Sequence, residues 1–398
     1  MKNRRFKFLS VLMAVVLLAS IIAGCKQTTS TTATGTTVTS QTSTTTTTTN
    51  TTTPATTSSA TTSTTTTTTA ATTRTITDMY GTKITVPAVI NRVISTGPVE
   101  TQLIYILAPE KLVGLSSAWD GSPASFIPNQ YSSIPVIGNA SNGSFNFEAA
   151  IATKPDVVLE GKTKNLDTDR QKFGTIPVVG LNAGDDLLTM YEPEIRFVAD
   201  LLGVPERGDA LIAYYKSTMD YVKSVVSTIP DAEKVRVYYA EGNDGLQTDA
   251  TGSWHTNLLT FCGGINVANV AVSNTSQAVQ VSMEQIYSWN TADPIDMIII
   301  GRTSQASTYK AILNSSTWQQ LPCVKAGFVY VRPDNPTSLF DGPPGYGQIL
   351  GMYWMLHTLY SARTANMHLM DKVKEFYSEF FHYDLTNQQL DILLANPS

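Results

Sequence analysis

The side chains with chemistry to offer are sparse, and most stand just after a short apolar run. Tyr239 closes Val235-Arg236-Val237-Tyr238-Tyr239, and Trp254-His255 follows Gly252-Ser253. Arg302 follows Ile298-Ile299-Ile300-Gly301, Arg332 follows Val329-Tyr330-Val331, and Trp119 stands shortly after Leu112-Val113-Gly114-Leu115. Indole rings offer faces for stacking on a flat ligand. Guanidinium groups grip carboxylates or oxyanions through paired hydrogen bonds. An imidazole or a phenol can reach a metal centre. The set suits recognition of a small ligand better than catalysis. The chain has no nucleophile elbow, P-loop, dinucleotide fingerprint or zinc-protease helix. Cys262-Gly263-Gly264 reads as a helix end capped by glycine rather than as a thiol nucleophile. Each candidate also has a plainer use: tryptophans often pack, a histidine at a helix start often caps, and Arg332 is close enough to Asp334 to pair with it.

Binding a bare zinc or manganese ion needs several His or carboxylate ligands converging from both halves of a site. The four histidines are His255, His357, His368 and His382, all in the second half of the chain. A naked ion therefore fits poorly. A metal already wrapped in a chelator fits better, as does an oxyanion, and no intrinsic cofactor is expected. The Gly/Pro-rich stretch from Asp334 to Pro344 suits a shaped loop at the edge of such a site.

One further reactive residue lies near the start. Lys2, Arg4, Arg5 and Lys7 precede an apolar run from Phe8 to Ile22, which ends in Ile22-Ala23-Gly24-Cys25. A basic start, a short apolar core and small residues at a cut site form a secretory signal over 1–24. A cut before cysteine resembles a bacterial lipobox, which makes Cys25 the lipidated first residue of the mature protein. An ordinary signal peptide with a chance cysteine and a single transmembrane helix are the alternatives, but the run is short for a membrane span. Residues 25–73 are almost wholly Thr and Ser, with Val38 the one large apolar side chain. Nothing there offsets the entropy of ordering, so the segment is expected to be a disordered tether with a span of about 40 Å. O-linked sugars would suit it.

Five of the 27 basic residues and none of the 32 acids precede residue 74, which leaves 22 bases against 32 acids for the rest. That balance excludes a nucleic-acid partner. Three cysteines are too few for a disulfide scaffold. Once Cys25 is lipidated, Cys262 and Cys323 remain, as a disulfide or as two buried thiols.

The elements that must position these residues alternate. Strand-like runs at 92–95, 112–115, 156–159 and 177–180 are separated by helical stretches such as Glu100 to Leu107 and Phe147 to Thr153. A hairpin over 75–86, turning at Tyr80-Gly81, precedes them. A long helical segment runs from about Tyr191 to Val226, broken near Gly203 and Pro205. The strand-helix pattern restarts at 235–239, 296–300 and 328–331, and helices close the chain. The expected fold is α/β: two Rossmann-like lobes, 74–190 and 231–398, joined by the helical connection 191–230. The ligand cleft then lies between the lobes, at the carboxyl ends of the strands.

Four stretches carry a resemblance to a known family. They are Ile76-Thr77-Asp78-Met79-Tyr80-Gly81 with Val86-Pro87 and Arg92-Val93-Ile94; Asn146-Phe147-Glu148 through Lys154-Pro155-Asp156-Val157-Val158; Asn257-Leu258-Leu259 with Cys262-Gly263-Gly264-Ile265-Asn266; and Ser282-Met283-Glu284-Gln285-Ile286 before Asp296-Met297-Ile298. In this order the chain from about Thr75 onward resembles the class III (cluster A) substrate-binding proteins of ABC importers, which serve siderophores, haem and cobalamin, with some members taking molybdate, tungstate or metal ions. The resemblance implies a membrane-anchored extracytoplasmic protein that hands a metal chelate to an ABC permease and its ATPase, and that acts as a monomer. A molybdate- or tungstate-binding protein of the same fold is the alternative; an extracellular enzyme or an adhesin lipoprotein is the alternative of another class. It also implies that Glu148 and Glu284, one on each lobe, dock against permease arginines. The plainer account of both is a solvated acid at a helix start.

Overall fold

The computed structural model describes residues 72–119, 126–161, 166–182, 191–271, 278–301, 305–333 and 345–396. Cys25, the signal segment, nearly all of the Thr-rich stretch, Arg302 and the loop 334–344 lie outside the described residues.

The first lobe opens with a hairpin of β1 (Thr73–Thr77) and β2 (Lys83–Pro87), in which Thr77 stands opposite Lys83. β1 starts one residue before the boundary expected from sequence. The buried Asp78 carboxylate ties the turn together. One oxygen accepts from the backbone N–H of Tyr80 at 3.0 Å and of Thr82 at 2.8 Å. The other accepts from Arg170 at 2.6 Å and from the Gly180 N–H at 3.2 Å. Then follow β3 (Val93–Ser95), α1 (Pro98–Leu107), α2 (Phe147–Ala152), β4 (Val157–Glu160), α3 (Leu166–Phe173) and β5 (Val178–Gly180). β3, β4 and β5 form a parallel sheet in that order. The run 112–115, expected as a strand, makes only isolated bridges, Leu112 to Val93 and Leu115 to Val136.

The connection is two helices, α4 (Tyr191–Leu202) and α5 (Pro205–Val226). Gly203, at φ 72°, takes the left-handed conformation that ends α4, and Pro205 sets the first turn of α5. The second lobe contains β6 (Arg236–Ala240), β7 (Gln247–Thr248), α6 (Trp254–Phe261), β8 (Ile265–Asn266), β9 (Val279–Gln280), α7 (Met283–Ala292), β10 (Met297–Ile300), α8 (Gln305–Asn314), α9 (Pro322–Lys325) and β11 (Val329–Val331). Its main sheet is parallel, in the order β11-β10-β6-β8, and β7 pairs with β9 antiparallel. α10 (Gln348–Leu359), α11 (Leu369–Phe380) and α12 (Asn387–Leu394) finish the chain.

Strand alternation divides the interior. Val93, Val157, Leu159, Val237, Tyr239 and Ile299 turn toward one large core, which also takes Ile195, Val198, Leu211, Tyr215 and Val222 of the connection and Ile349 to Leu356 of α10. Their strand neighbours turn the other way. Ile94 and Val158 join Phe173 in a small core of the first lobe. Tyr238, Ala240, Ile298 and Ile300 join Trp318 in one of the second. β3, β4, β6 and β10 are thus buried on both faces, as their apolar runs require.

Both lobes lock the same pair of strands in the same way. Asp156 accepts from the Arg92 N–H at 2.9 Å, and Asp296 accepts from the Arg236 N–H at 2.8 Å. In each lobe an aspartate before one strand therefore anchors the start of its neighbour. The last helices depart from the expected partition. Tyr105 in α1 donates to the carbonyl of Phe381, and His382 Nε2 lies 3.2 Å from the Tyr105 carbonyl oxygen. Asn396 meanwhile accepts from the Val331 N–H at 2.9 Å. The tail of the chain therefore bridges the lobes instead of belonging to the second alone. Cys262 and Cys323 are buried free thiols.

Tyr360, just past α10, accepts from the Val235 N–H at 3.1 Å and donates to the Gly263 carbonyl at 2.7 Å. Tyr360→Phe leaves both backbone groups unpaired, and denaturant melts should show a loss of about 1–3 kcal/mol.

Candidate functional site

In the first lobe, the carboxyl ends of β3 and β4 are where an α/β sheet of this kind places its ligand loops. The Ser95 hydroxyl donates to the Gly97 carbonyl at 2.8 Å, and so does the Thr101 hydroxyl, which fixes the turn into α1. Gly97 caps that helix and Pro98 is its first residue. The carboxyl of Glu100, in the first turn, lies between Gly97 and Gly161, the glycines that follow β3 and β4. A Cβ at either would collide with it. Glu100 is 6% exposed, and Glu160, which ends β4, is buried beside this edge.

On the second lobe the corresponding strand ends belong to β6, β10 and β11. Tyr239 is wholly buried, and the end of its ring lies against Gly301, where any Cβ would strike it. The glycine after β10 is thus what admits the phenol. Arg332 follows β11, its N–H donating to the Ile300 carbonyl at 3.3 Å; the whole side chain is 1% exposed. Glu241 follows β6 and is also buried. Ser253 caps α6 by accepting from the His255 N–H at 3.2 Å; His255 is buried and Trp254 half-buried.

Tyr239 and Arg332 therefore stand at strand ends of the second lobe, and Trp254 and His255 at the start of α6. Trp119 does not behave as a stacking platform. It is 5% exposed and sits edge-on to Tyr105, ring centroids 4.7 Å apart, in the shared core. Arg302 lies outside the described residues. Glu148 and Glu284 are exposed, each in the first turn of a helix that leads into a central strand, α2 into β4 and α7 into β10. Asn146 caps the first by accepting from the Ala149 N–H at 3.0 Å, and Ser282 caps the second by accepting from the Gln285 N–H at 3.3 Å. The Ser282 hydroxyl and the helix-start N–H hold Glu284 below the usual carboxylate range. A helix leading into a parallel strand runs back along the sheet, so both acids stand toward the carboxyl ends of their lobe's strands.

A second group of polar residues at this junction escapes sequence reasoning. Glu194, near the start of α4, is 0% exposed. Burial first, then the Glu100 carboxyl, push it up to about 8, with the nearby Tyr346 hydroxyl opposing. Burial pushes Glu100 up to about 7, opposed by its own backbone N–H. Tyr191 donates to the Gly345 carbonyl at 3.1 Å and to Gln348 at 3.0 Å, and the Gly347 N–H donates to Gln102 of α1 at 3.2 Å. These bonds join α1, α4 and the start of α10. The signal was present: Glu194 shares the spacing of Tyr191, Ile195 and Val198, the buried face of its helix. Among the described residues no three His, Cys, Asp or Glu side chains converge as a metal site.

The sequence profile of the periplasmic binding protein family matches residues 93–336. An ABC transporter solute-binding protein from Sulfurospirillum deleyianum is 29% identical, with a TM-score of 0.70 over 80% of this chain and 98% of that one. The molybdate-binding protein MolA of Haemophilus influenzae is 23% identical over 77% of this chain and 91% of its own. The vitamin B12-binding protein of Vibrio parahaemolyticus is 26% identical over 50% of this chain and 67% of its own.

The two buried carboxyls set a pH dependence. In the folded chain both hold protons above the ordinary value of 4.5, which the unfolded chain has already released. The folded state therefore binds more protons between about pH 4.5 and 8, and its stability falls as pH rises through that window. Each tenfold in acidity is about 1.4 kcal/mol, so the loss amounts to several kcal/mol. Glu194→Gln should flatten the fall of melting temperature between pH 6 and 9; an unchanged slope would contradict the assignment.

Proposed function

The chain belongs to the periplasmic binding protein family, and on that premise we propose that it captures a small anionic ligand between its lobes and delivers it to an ABC importer. The family consists of extracytoplasmic substrate-binding proteins that work with an ABC permease and its ATPase. The observation that carries the ligand class is the buried guanidinium of Arg332 at the cleft end of β11, on the same sheet edge as Tyr239. A buried cation at a ligand face suits an oxyanion or a chelate bearing carboxylates, both bound through paired hydrogen bonds. Arg302, one residue past Gly301, extends the same chemistry in sequence.

Within that class a tetrahedral oxyanion of the molybdate type is the first choice. MolA matches this chain over most of its own length. The burial of Trp119 removes one of the two indoles that a flat chelate would use. A metal chelate of the cobalamin or siderophore kind is the second reading. It is favoured by Trp254, which stays half-buried at the cleft edge, and by the vitamin B12-binding relative. Glu148 and Glu284 dock the loaded protein on its permease, since one charge on each lobe fixes orientation without demanding high affinity. Cys25 carries the lipid anchor and the Thr-rich segment is its leash. Among the described residues no helix is long and apolar enough to cross a membrane.

Melting temperature and tryptophan fluorescence of the full-length chain, followed against molybdate, tungstate, cyanocobalamin, haem and ferric siderophores, test the ligand reading. At about a hundredfold above Kd the bound ligand adds roughly 2.7 kcal/mol, which raises the melting temperature by several degrees. Molybdate or tungstate is expected to act, and Arg332→Gln to weaken it by about tenfold or more. A panel without a hit, or full affinity in Arg332→Gln, contradicts the proposal. For docking, Glu148→Lys with Glu284→Lys should abolish uptake in cells while ligand affinity stays intact; undiminished uptake refutes that role.

A further inference from the structure

Glu100 stands three residues past Gly97, the position from which a glutamate can cap its own helix. That plain role suits a charged carboxylate in contact with water, because the helix dipole favours the ionised form. This carboxyl is placed otherwise. It bridges the two loops that follow β3 and β4, so close to Gly97 and Gly161 that a Cβ at either would strike it, and the residue is 6% exposed. Its own N–H favours the charge, but burial outweighs it. The titratable groups around it add no cation. Glu194 of α4 and Tyr346, just before α10, feel its charge and are hydrogen-bonded to each other. Glu160 is buried at the end of β4. Among the described residues no basic side chain acts on Glu100. The first-lobe strand ends, where a ligand is expected, thus carry a buried acid and no countercharge, opposite in kind to the buried guanidinium of Arg332 in the second lobe.

We propose that Glu100 is a specificity-determining residue of the ligand site: protonated, it donates a hydrogen bond to an oxygen of the anion, and ionised, it repels that anion. The inference rests on the anion reading of the cleft and adds the regulation of that site. An anion lodged against the loops after β3 and β4 must share its place with this carboxyl, which fills the space between them. Two like charges in a poorly solvated pocket are not held together; one of them takes a proton. Molybdate and tungstate remain dianions near neutral pH, so the proton goes to Glu100. Binding therefore takes up one proton wherever Glu100 is ionised beforehand, and none where it is already protonated. With Glu100 titrating at about 7 in the free chain, affinity stays level near pH 6 and falls by about tenfold for each pH unit above about 8. An imidazole losing its charge, such as that of His255 at the start of α6, would give a slope of the same sign, so the test has to separate the two.

The test titrates the full-length chain with molybdate and with tungstate in a calorimeter between about pH 6 and 9 at constant ionic strength. The parent chain should lose affinity by about tenfold from pH 8 to 9, and near pH 9 the heat should depend on the buffer as the uptake of about one proton requires. Glu100→Gln keeps a donor but does not ionise, and should lose both the slope and the proton uptake. Infrared difference spectra need no Glu100 variant: on binding near pH 9 the parent chain should gain the band of a protonated carboxyl, which an imidazole does not supply. Glu194→Gln should keep that band, which separates Glu100 from its acidic neighbour. Affinity that stays level from pH 6 to 9, a slope that persists in Glu100→Gln, or a band absent from the parent or lost in Glu194→Gln overturns the proposal and leaves the anion reading standing. Failure of both anions to bind at any pH refutes the molybdate-type reading, and this proposal with it.

Discussion

The shared core is the constraint on which the rest of this structure depends. α4 and α5 do not merely span the gap between two independent lobes. Ile195, Val198, Leu211, Tyr215 and Val222 enter the same apolar cluster as Val157 and Leu159 of one sheet and Val237 and Ile299 of the other. A hinge of two exposed strands could swing freely, but a helix pair packed into both sheets cannot turn without opening that interior. Burying a Leu, Ile or Val side chain is worth about 1.5–3 kcal/mol, so wide opening would expose far more than ligand binding returns. Small adjustments at the strand ends are what remain.

That constraint makes the strand ends dependable places for chemistry. Tyr239 is held from below by the shared core and from the side by Gly301, so its ring has little freedom. Glu100 lies between the two glycines that follow β3 and β4. Arg332 leaves β11 next to Ile300, whose own side chain is anchored in the second lobe's smaller core. The recurring lock of Asp156 and Asp296 on the neighbouring strand start is the same device used twice. It gives the two lobes matching frames, from which Glu148 and Glu284 project at equivalent helix starts.

Much of this was legible in the sequence, for physical reasons that can be named. Unbroken runs such as Met297-Ile298-Ile299-Ile300 can only be strands covered on both faces, and Gly203 with Pro205 can only end one helix and begin another. Asn146 and Ser282 marked the helix starts that carry the two exposed acids. What failed depended on contacts distant in sequence. Trp119 looked like a ligand platform because nothing local shows that Tyr105 covers it. Residues 112–115 had the composition of a strand but found partners only at single bridges. The return of the final residues to α1 rests on Tyr105 and Phe381, 276 positions apart. Glu100 and Glu194 were passed over because acids in a helical register read as solvent-facing until burial is known. In Glu194 the heptad-like spacing with Tyr191 and Val198 carried the correct answer against the residue type.

Hydrogen exchange of the full-length chain with and without saturating ligand tests the central claim most directly, using whichever compound raises its melting temperature. A ligand held between two lobes on a rigid connection should slow exchange together at 95–97, 99–101 and 160–161 of the first lobe and at 239–242, 301 and 332 of the second, while the amides of α4 and α5 keep their rates. Protection confined to one lobe would place the ligand elsewhere. A large change along α4 and α5 would show that the connection unpacks on binding and would contradict the account of a shared, unyielding core.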